Sequence, residues 1–600
     1  MVLWVNDFPG SPSAVGTRVT QRSGVKLGRE AVRLAVRLDV GIASASRHDS
    51  ILKASDWYPD VIVVCRETII VASTASFGQC LFGMKKLILR ILRWGSGLLL
   101  VLLVVLFARG LYAFRDRVPG YALDLKIDAA KSLAEPRPLR VGFGRTKINP
   151  DLSDPKRPVW IAGFSQHRAA TAIHDDLWAI ACVLDDGHTR LGIVGLDAIG
   201  FFHDDVVAVR RRYAAEWKLD YTVVCSMHNH STPDLMGLWG KDFLHTGVDP
   251  RYREQVIAAA VKTLGDAVTA LQPARVAFRE IAVPPDGLVA DTRKPIVFDP
   301  DIRVMHFTSV TNGSTIGSLV GWADHPETPW AHNTELTADY CGVLRDTLEN
   351  GFTHQGRQLA EGIGGIHLFI NGAVGGLMTT PPSVTVRDPW LQQDFKEPSH
   401  DKSRAVGHQL AARILPVLAN TNTAASGFAP IGIRARTIEM PVDNKMFLAA
   451  EYLGLIDRGQ AHWKKMLTEV ALLTIGDATI ACVPGEIYPE IVNGGIERAP
   501  GGDFDIAPVE VPPLRELMPG RIKFVFGLAN DELGYIIPKS EWDERPPYIY
   551  GATEPVYGEI NSCGPETAPL LHSAFAELCR ATIGGGTSNR HSSSSSSGAR

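Results

Sequence analysis

From Leu139 onward the chain alternates two patterns. Short apolar runs rich in β-branched residues, closed by Gly, Pro or Asp, predict strands at Leu177–Leu184, Leu191–Leu196, Tyr221–Ser226, Arg275–Val283, Ile316–Trp322, His367–Ile370, Thr479–Val483 and Lys523–Leu528. Between them, apolar residues recurring every three to four positions predict helices at Asp204–Lys218, Tyr252–Leu271, Ala338–Glu349, Ser403–Leu418 and Phe447–Leu455. Strands alternating with helices define an α/β class: mixed, buried sheets flanked by helices in a single large domain, residues 139–581. No fixed-period repeat interrupts it.

The N-terminal region follows another logic. Met84 opens a segment in which Lys85, Lys86, Arg90 and Arg93 precede an apolar run from Trp94 to Ala108. Cations ahead of an apolar stretch are the layout of a signal peptide or signal anchor, here residues 84–110. The run alone is short of the roughly 20 residues a spanning helix needs; counted from Leu87, with Arg90 and Arg93 snorkelling, it suffices. The cations place the rest of the chain outside the cytoplasm, periplasmic or extracellular. A buried core helix is the alternative reading. We expect Met84 to be the native start and residues 1–83 to be a non-native or disordered extension. Residues 111–138 read as a linker leading off the membrane, and 582–600, with the Ser593–Ser597 run, as a disordered tail.

Composition narrows the classes. Lys+Arg 61 against Asp+Glu 65 leaves a formal charge of −4, without the basic footprint that nucleic-acid binding needs. Eight cysteines in 600 residues are too few for a disulfide scaffold; of those after Met84, Cys563 and Cys579 are the expected pair in an exported protein. There is no Gly-x-Ser-x-Gly elbow, His-Glu-x-x-His helix, P-loop or Rossmann fingerprint.

Four segments carry candidate chemistry, each just after a predicted strand. They are Met227-His228-Asn229-His230-Ser231-Thr232-Pro233, Asp324-His325-Pro326-Glu327, Pro484-Gly485-Glu486 and Gly527–Tyr535. Residues two apart at a strand end project to the same side, so His228 and His230 can serve one site. Ligands in open α/β sheets bind beyond the carboxyl ends of strands, where His228, His325, Glu486 and Tyr535 all fall. Two imidazoles and a carboxylate with an open position suit catalytic zinc.

These segments, in this order, resemble the neutral (alkaline, non-lysosomal) ceramidases over about residues 139–580. That family has Thr-His-Thr-His-Ser-Gly-Pro, a strand ending in His-Pro, a Pro-Gly-Glu and a Gly-Leu-x-Asn-x-x-x-x-Tyr. The resemblance implies one zinc per chain on His228, His325, Glu486 and Tyr535, with His230 beside the substrate carbonyl. It implies an amidase in which metal-activated water attacks the amide of an N-acyl lipid. Trp160–Phe164 is similar to the family's glycine turn. The stretch Ala172–Ala179 is similar to a family segment that makes His174 a secondary site candidate. Leu196-Asp197 is similar to a strand end; there placement favours a structural cap.

The chain departs from the pattern at the family's Gly-Asp-x-Ser-Pro. Here Asn371 ends a strand and Gly375-Gly376-Leu377-Met378-Thr379 follows. Methionine supplies no hydroxyl, so Thr379 is the candidate for one; the glycine-rich loop at Gly375 could instead present backbone N–H groups to an oxyanion. Thr232 stands where the family has Gly, and the chain lacks the C-terminal immunoglobulin-like domain of larger members, as in the shorter bacterial-type relatives. Two further readings stay open. One is a metal hydrolase of another ester, lactone or phosphoester. The other is a membrane-anchored lipid- or glycan-binding protein with a degenerate site. The partners expected are a small-molecule or lipid substrate and a membrane, and no nucleic acid.

Overall fold

The computed structural model describes residues 60–65, 68–420, 424–555 and 557–587. Residues 1–59 of the expected extension and 588–600 of the Ser-rich tail lie outside the described residues. The chain divides into two units, Met1–Arg109 and Gly110–Arg600.

In the first unit, strands Asp60–Cys65 and Thr68–Ser73 pair antiparallel. Helix α1, Thr74–Ala113, follows. Its stretch Phe82–Ala113 is long and apolar enough to cross a membrane, and its leucines, valines and Trp94 are exposed. A helix that is apolar all round is suited to a lipid or protein surround, not to water.

The second unit is built on two sheets. Residues 111–138, expected as a linker, belong to it: β1, Asp124–Ile127, is an edge strand paired with Ile433–Arg436. The first sheet uses β2 (Arg140–Lys147), β3 (Trp178–Asp185), β4 (Arg190–Leu196), β5 (Tyr221–Ser226), β6 (Gln272–Ile281), β7 (Ile302–Ser309), β8 (Thr315–Trp322) and β9 (Ile366–Asn371). Its order is β9-β8-β7-β6-β2-β3-β4-β5. Strands β4 and β5 run parallel, as do β8 and β9; the other pairs are antiparallel. Strands β3, β4 and β5 are buried almost along their whole length, as expected where helices cover a sheet. The second sheet has β10 (Ile431–Pro441), β11 (Lys465–Ile475), β12 (Ala478–Cys482) and β14 (Ile522–Phe526), in the order β14-β12-β11-β10-β1. A short parallel ladder pairs β13, Glu486–Ile487, with β15, Tyr535–Ile536.

Helix α3, Pro250–Thr269, is capped by the Asp249 carboxylate on the Arg251 amide, with Pro250 at its first position. The helix expected at Asp204–Lys218 is split. Helix α2, His203–Arg210, ends where Arg210 turns inward to the Thr222 carbonyl and to Glu469, and a single 3-10 turn follows at Ala215–Trp217. Helices α4 (Asp339–Asn350) and α5 (His400–Ala419) match their predicted spans to within a few residues. Helix α6 occupies Lys445–Leu453, and α7 runs from Thr567 to Thr587, through the start of the expected tail. Cys563 and Cys579 are both buried and free, so the expected disulfide is absent. Asp197 is structural: its carboxylate grips Arg345 through two contacts of 2.8 Å and accepts the Trp178 amide.

The first sheet does not stay open. Its two edge strands, β5 and β9, are brought together at their carboxyl ends. The Asn371 amide donates to the Met227 carbonyl (3.0 Å) and to the Asp324 carbonyl (2.9 Å). The segment after β14 fills the seam: Gly527 N–H donates to Asn371, Ser226 N–H to Leu528 and Asn530 N–H to Val224. Three strand ends, from β5, β8 and β9, thus face one point.

Candidate metal centre

His228, His230 and His325 form a group whose ligand atoms all lie within 4.8 Å of one another. The geometry is set from the backbone inward. His325 leaves β8 with both its amide (3.0 Å) and its ring Nδ1 (2.6 Å) on the Met378 carbonyl. His228 adopts a left-handed backbone, φ +63°, costly for a residue with a side chain, and its Nδ1 lies 2.9 Å from the Ile199 carbonyl. Carbonyls bring no proton, so both Nδ1 atoms must donate, and both Nε2 atoms carry lone pairs.

Those lone pairs converge on a carboxylate. Glu486 Oε2 stands 3.2 Å from His228 Nε2 and 3.1 Å from His325 Nε2, and all three residues are buried. Three electron-rich atoms so close repel unless a cation or an added proton lies among them. The protein's ionisation balance has that form. Burial lowers the basicity of His325, but the Glu486 and Glu327 contacts more than offset this and raise it. Burial likewise opposes the charge on Glu486, yet the two histidines hold its carboxyl well below the usual range. A metal ion satisfies the same three atoms without the proton. Ligands at about 2.0–2.1 Å on a tetrahedral zinc stand about 3.3 Å apart, so the residues present fit such an ion.

Tyr535 is the register partner of Glu486 in the β13–β15 ladder. It is buried, and its phenol is pushed well above its usual range by burial and by the Glu486 charge.

His230 stands beside this group, its Nε2 3.3 Å from that of His228. Its backbone is clamped: its N–H donates to the Pro326 carbonyl, and Arg168 Nη2 donates to its own carbonyl. Gly163, at φ +82°, leaves the space it needs; a Cβ there would come within 2.6 Å of the ring. Phe164 meets the ring edge-on at 5.3 Å, and Trp330 lies against Phe164 at 5.1 Å.

Sequence reasoning gives Glu327 no role, and here it has one. Its Oε2 lies 3.0 Å from His230 Nδ1, in a poorly aligned contact, and its Oε1 accepts the Thr379 hydroxyl. Burial would raise this carboxyl; His230, His325 and Thr379 pull it down instead, to about 2. Burial lowers His230 to about 4 against the opposing pull of Glu327. The pair is therefore a carboxylate and a neutral imidazole near pH 7.

The other predicted residues take defined places. The Asn371 side chain is spent on backbone groups of Met227, Asp324 and Gly372. The Thr379 hydroxyl is engaged by Glu327. Gly375 lies so close to Tyr488 that a Cβ would stand 2.6 Å from its amide nitrogen. Gly376 has φ +69°, and a Cβ there would be 3.4 Å from the Asp291 carboxylate. That carboxyl is raised to about 7, chiefly by burial. An aspartate at 376 would thus meet a second carboxyl group. His174 contacts Asp175 and stacks on His400 at 3.7 Å; among the described residues no ring contact joins it to the three-histidine group.

Met378 contributes its carbonyl, while its side chain is buried in the core. Met378→Ala should therefore leave activity within about twofold while costing about 2–5 kcal/mol of stability, read from the urea midpoint and the turnover of one preparation.

The second unit has a neutral-ceramidase-like fold. No family model and no curated protein matches the sequence. Among solved structures, the chain is similar to the neutral ceramidase from Pseudomonas aeruginosa, at 17% identity and TM-score 0.54, covering 74% of each chain. It is also similar to a ceramidase complexed with C2, at 17% identity and TM-score 0.55, covering 75% of this chain and 76% of that one.

Proposed function

We propose that the chain is a zinc-dependent hydrolase cleaving the amide bond of an N-acyl lipid. One zinc per chain would be held by His228, His325, Glu486 and Tyr535. The observation that carries this reading is the convergence of the His228 Nε2, His325 Nε2 and Glu486 Oε2 lone pairs at 3.1–3.2 Å, with both Nδ1 atoms committed to carbonyls. The neutral ceramidases to which the fold is similar support the choice of an amide.

Zinc so bound polarises a carbonyl and lowers the pKa of water to about 7. The chain's own residues do the rest. With Nδ1 turned to Glu327, His230 offers an Nε2 lone pair; it acts as a general base and then returns the proton to the leaving amine. It does not polarise the carbonyl, because a neutral Nε2 has no proton to donate. Tyr535, the register partner of Glu486, would complete the ligand set and take no part as a donor. Phe164 and Trp330 wall the approach and exclude water. Asn371 and the Gly375 turn position the strand ends. The apolar helix α1 serves as a signal anchor with the second unit outside the cytoplasm.

The test is a panel on the purified full-length protein: an N-acyl lipid, its ester counterpart, a lactone and a phosphoester, with zinc counted by elemental analysis. About one zinc per chain and fastest cleavage of the amide are expected. Zinc with turnover of another substrate alone would assign a different hydrolase to the same centre. Neither zinc nor turnover would leave a lipid- or glycan-binding protein.

A further inference from the structure

Helix α6 has two apolar sides. Ala450 belongs to a buried cluster with Ala162, Ile199, Phe202 and Met236, against which Phe447 packs. Met446, Ala449 and Leu453, spaced i, i+3 and i+7, form a second stripe, and all three are exposed. A surface helix ordinarily turns polar residues to that side. The loop at 237–247 widens the stripe. It is seated on the end of α6, where the Thr246 hydroxyl donates to the Leu455 carbonyl (3.0 Å), and it presents Phe243 and Leu244, the latter 72% exposed. On the other flank Trp463 is 64% exposed and meets the Phe114 ring edge-on at 4.8 Å; Phe114 also faces Tyr452 at 6.3 Å.

Chain length and composition indicate what covers this face. Phe114 follows Ala108, the last residue of the apolar run, by six positions of continuous helix and its cap. That is about 9 Å of chain, close to the depth of a bilayer's headgroup layer, about 5–8 Å on each side. Phe114, and Trp463 packed on it, therefore cannot stand far from the membrane–water boundary. Trp, Tyr and Phe beside cations are the residues found at that boundary, and here Lys445 and Arg115 flank the stripe. Of the acids nearby, Glu451 is buried, Asp242 is bonded to His245 and Glu439 is paired with Lys465, while Asp443 is exposed beside Lys445.

We propose that the face formed by Met446, Ala449, Leu453, Trp463, Phe243 and Leu244 lies in the headgroup and upper acyl layer of the bilayer that α1 crosses. On its inner side α6 shares a buried cluster with Ile199, whose carbonyl holds His228, so the face and the metal centre lie on opposite sides of one packed layer. The docking proposal rests on α1 as a membrane span and is independent of the chemistry at the metal centre.

Full-length protein in phosphatidylcholine vesicles tests it. An environment-sensitive NBD probe is attached at Leu453→Cys, at Leu244→Cys and, as control, at Val310→Cys. Val310 lies in the exposed turn between β7 and β8, at the end of the strands opposite the metal centre. Each probe is placed on a parent chain in which Cys65 and Cys80 are replaced by serine, and signals are read over that parent, whose Cys182, Cys225, Cys341, Cys482, Cys563 and Cys579 are buried. Lipids spin-labelled near the headgroup should quench the probes at 453 and 244 at least about twofold and leave 310 unchanged. Unquenched probes on protein that stays in the vesicles after alkaline carbonate would overturn the proposal. Probes shielded by a second copy, shown by cross-linking without lipid quenching, would also overturn it in favour of a protein interface. Release by carbonate would remove the span itself, a distinguishable failure.

Discussion

His325→Ala is expected to abolish bound zinc and amide cleavage together. The ring is fixed by two bonds to one carbonyl, from its amide and its Nδ1 to Met378, and the neighbouring His230 is held by backbone bonds of its own to Pro326 and Arg168, which keep it from taking the vacated position. Zinc should fall from about one per chain to less than about a tenth. Turnover should drop by more than the roughly 10–100-fold that losing an outer-shell partner costs. The substitution is cleaner than His228→Ala, because His228 sits on a left-handed backbone where any exchange also alters strain. The measurement is elemental analysis beside steady-state kinetics, with the far-UV spectrum as a check on folding. Full activity in His325→Ala would discard the metal assignment.

Glu327→Gln is the second large effect expected. A glutamine is isosteric and can still meet both His230 and Thr379, but it removes the charge that favours protonation of His230 during turnover. The value of kcat should fall about 10–100-fold while zinc content and KM stay near wild type. Loss of zinc would show that Glu327 acts on the ion. Unchanged kcat would show that His230 is not the base.

How much of this was legible in the sequence depends on where charge is buried. Strands β3, β4 and β5 read correctly because their runs are nearly all apolar. Strands β10 and β11 did not, because Arg434, Arg436 and Glu469 interrupt the period; the fold neutralises Arg434 against Asp128 and Glu469 against Arg210. Neither partner is near in sequence. The four motif segments were visible because each follows a strand, and the three ring and carboxylate atoms do meet. Glu327 went unmarked because its function comes from a histidine 97 positions upstream and a hydroxyl 52 positions downstream. The rolled sheet was also invisible: nothing in β5 or β9 alone says that Asn371 will bond Met227.

That seam has a consequence for biosynthesis. The two sheet edges are joined by residues 527–530, so a chain emerging N-terminus first carries β5 with its outer edge unpaired for about 300 residues of synthesis. Open edges of buried, β-branched strands are templates for pairing with another chain. The nascent protein is therefore most vulnerable to aggregation just before residues 527–530 arrive, and truncation ahead of Gly527 would leave it permanently in that state.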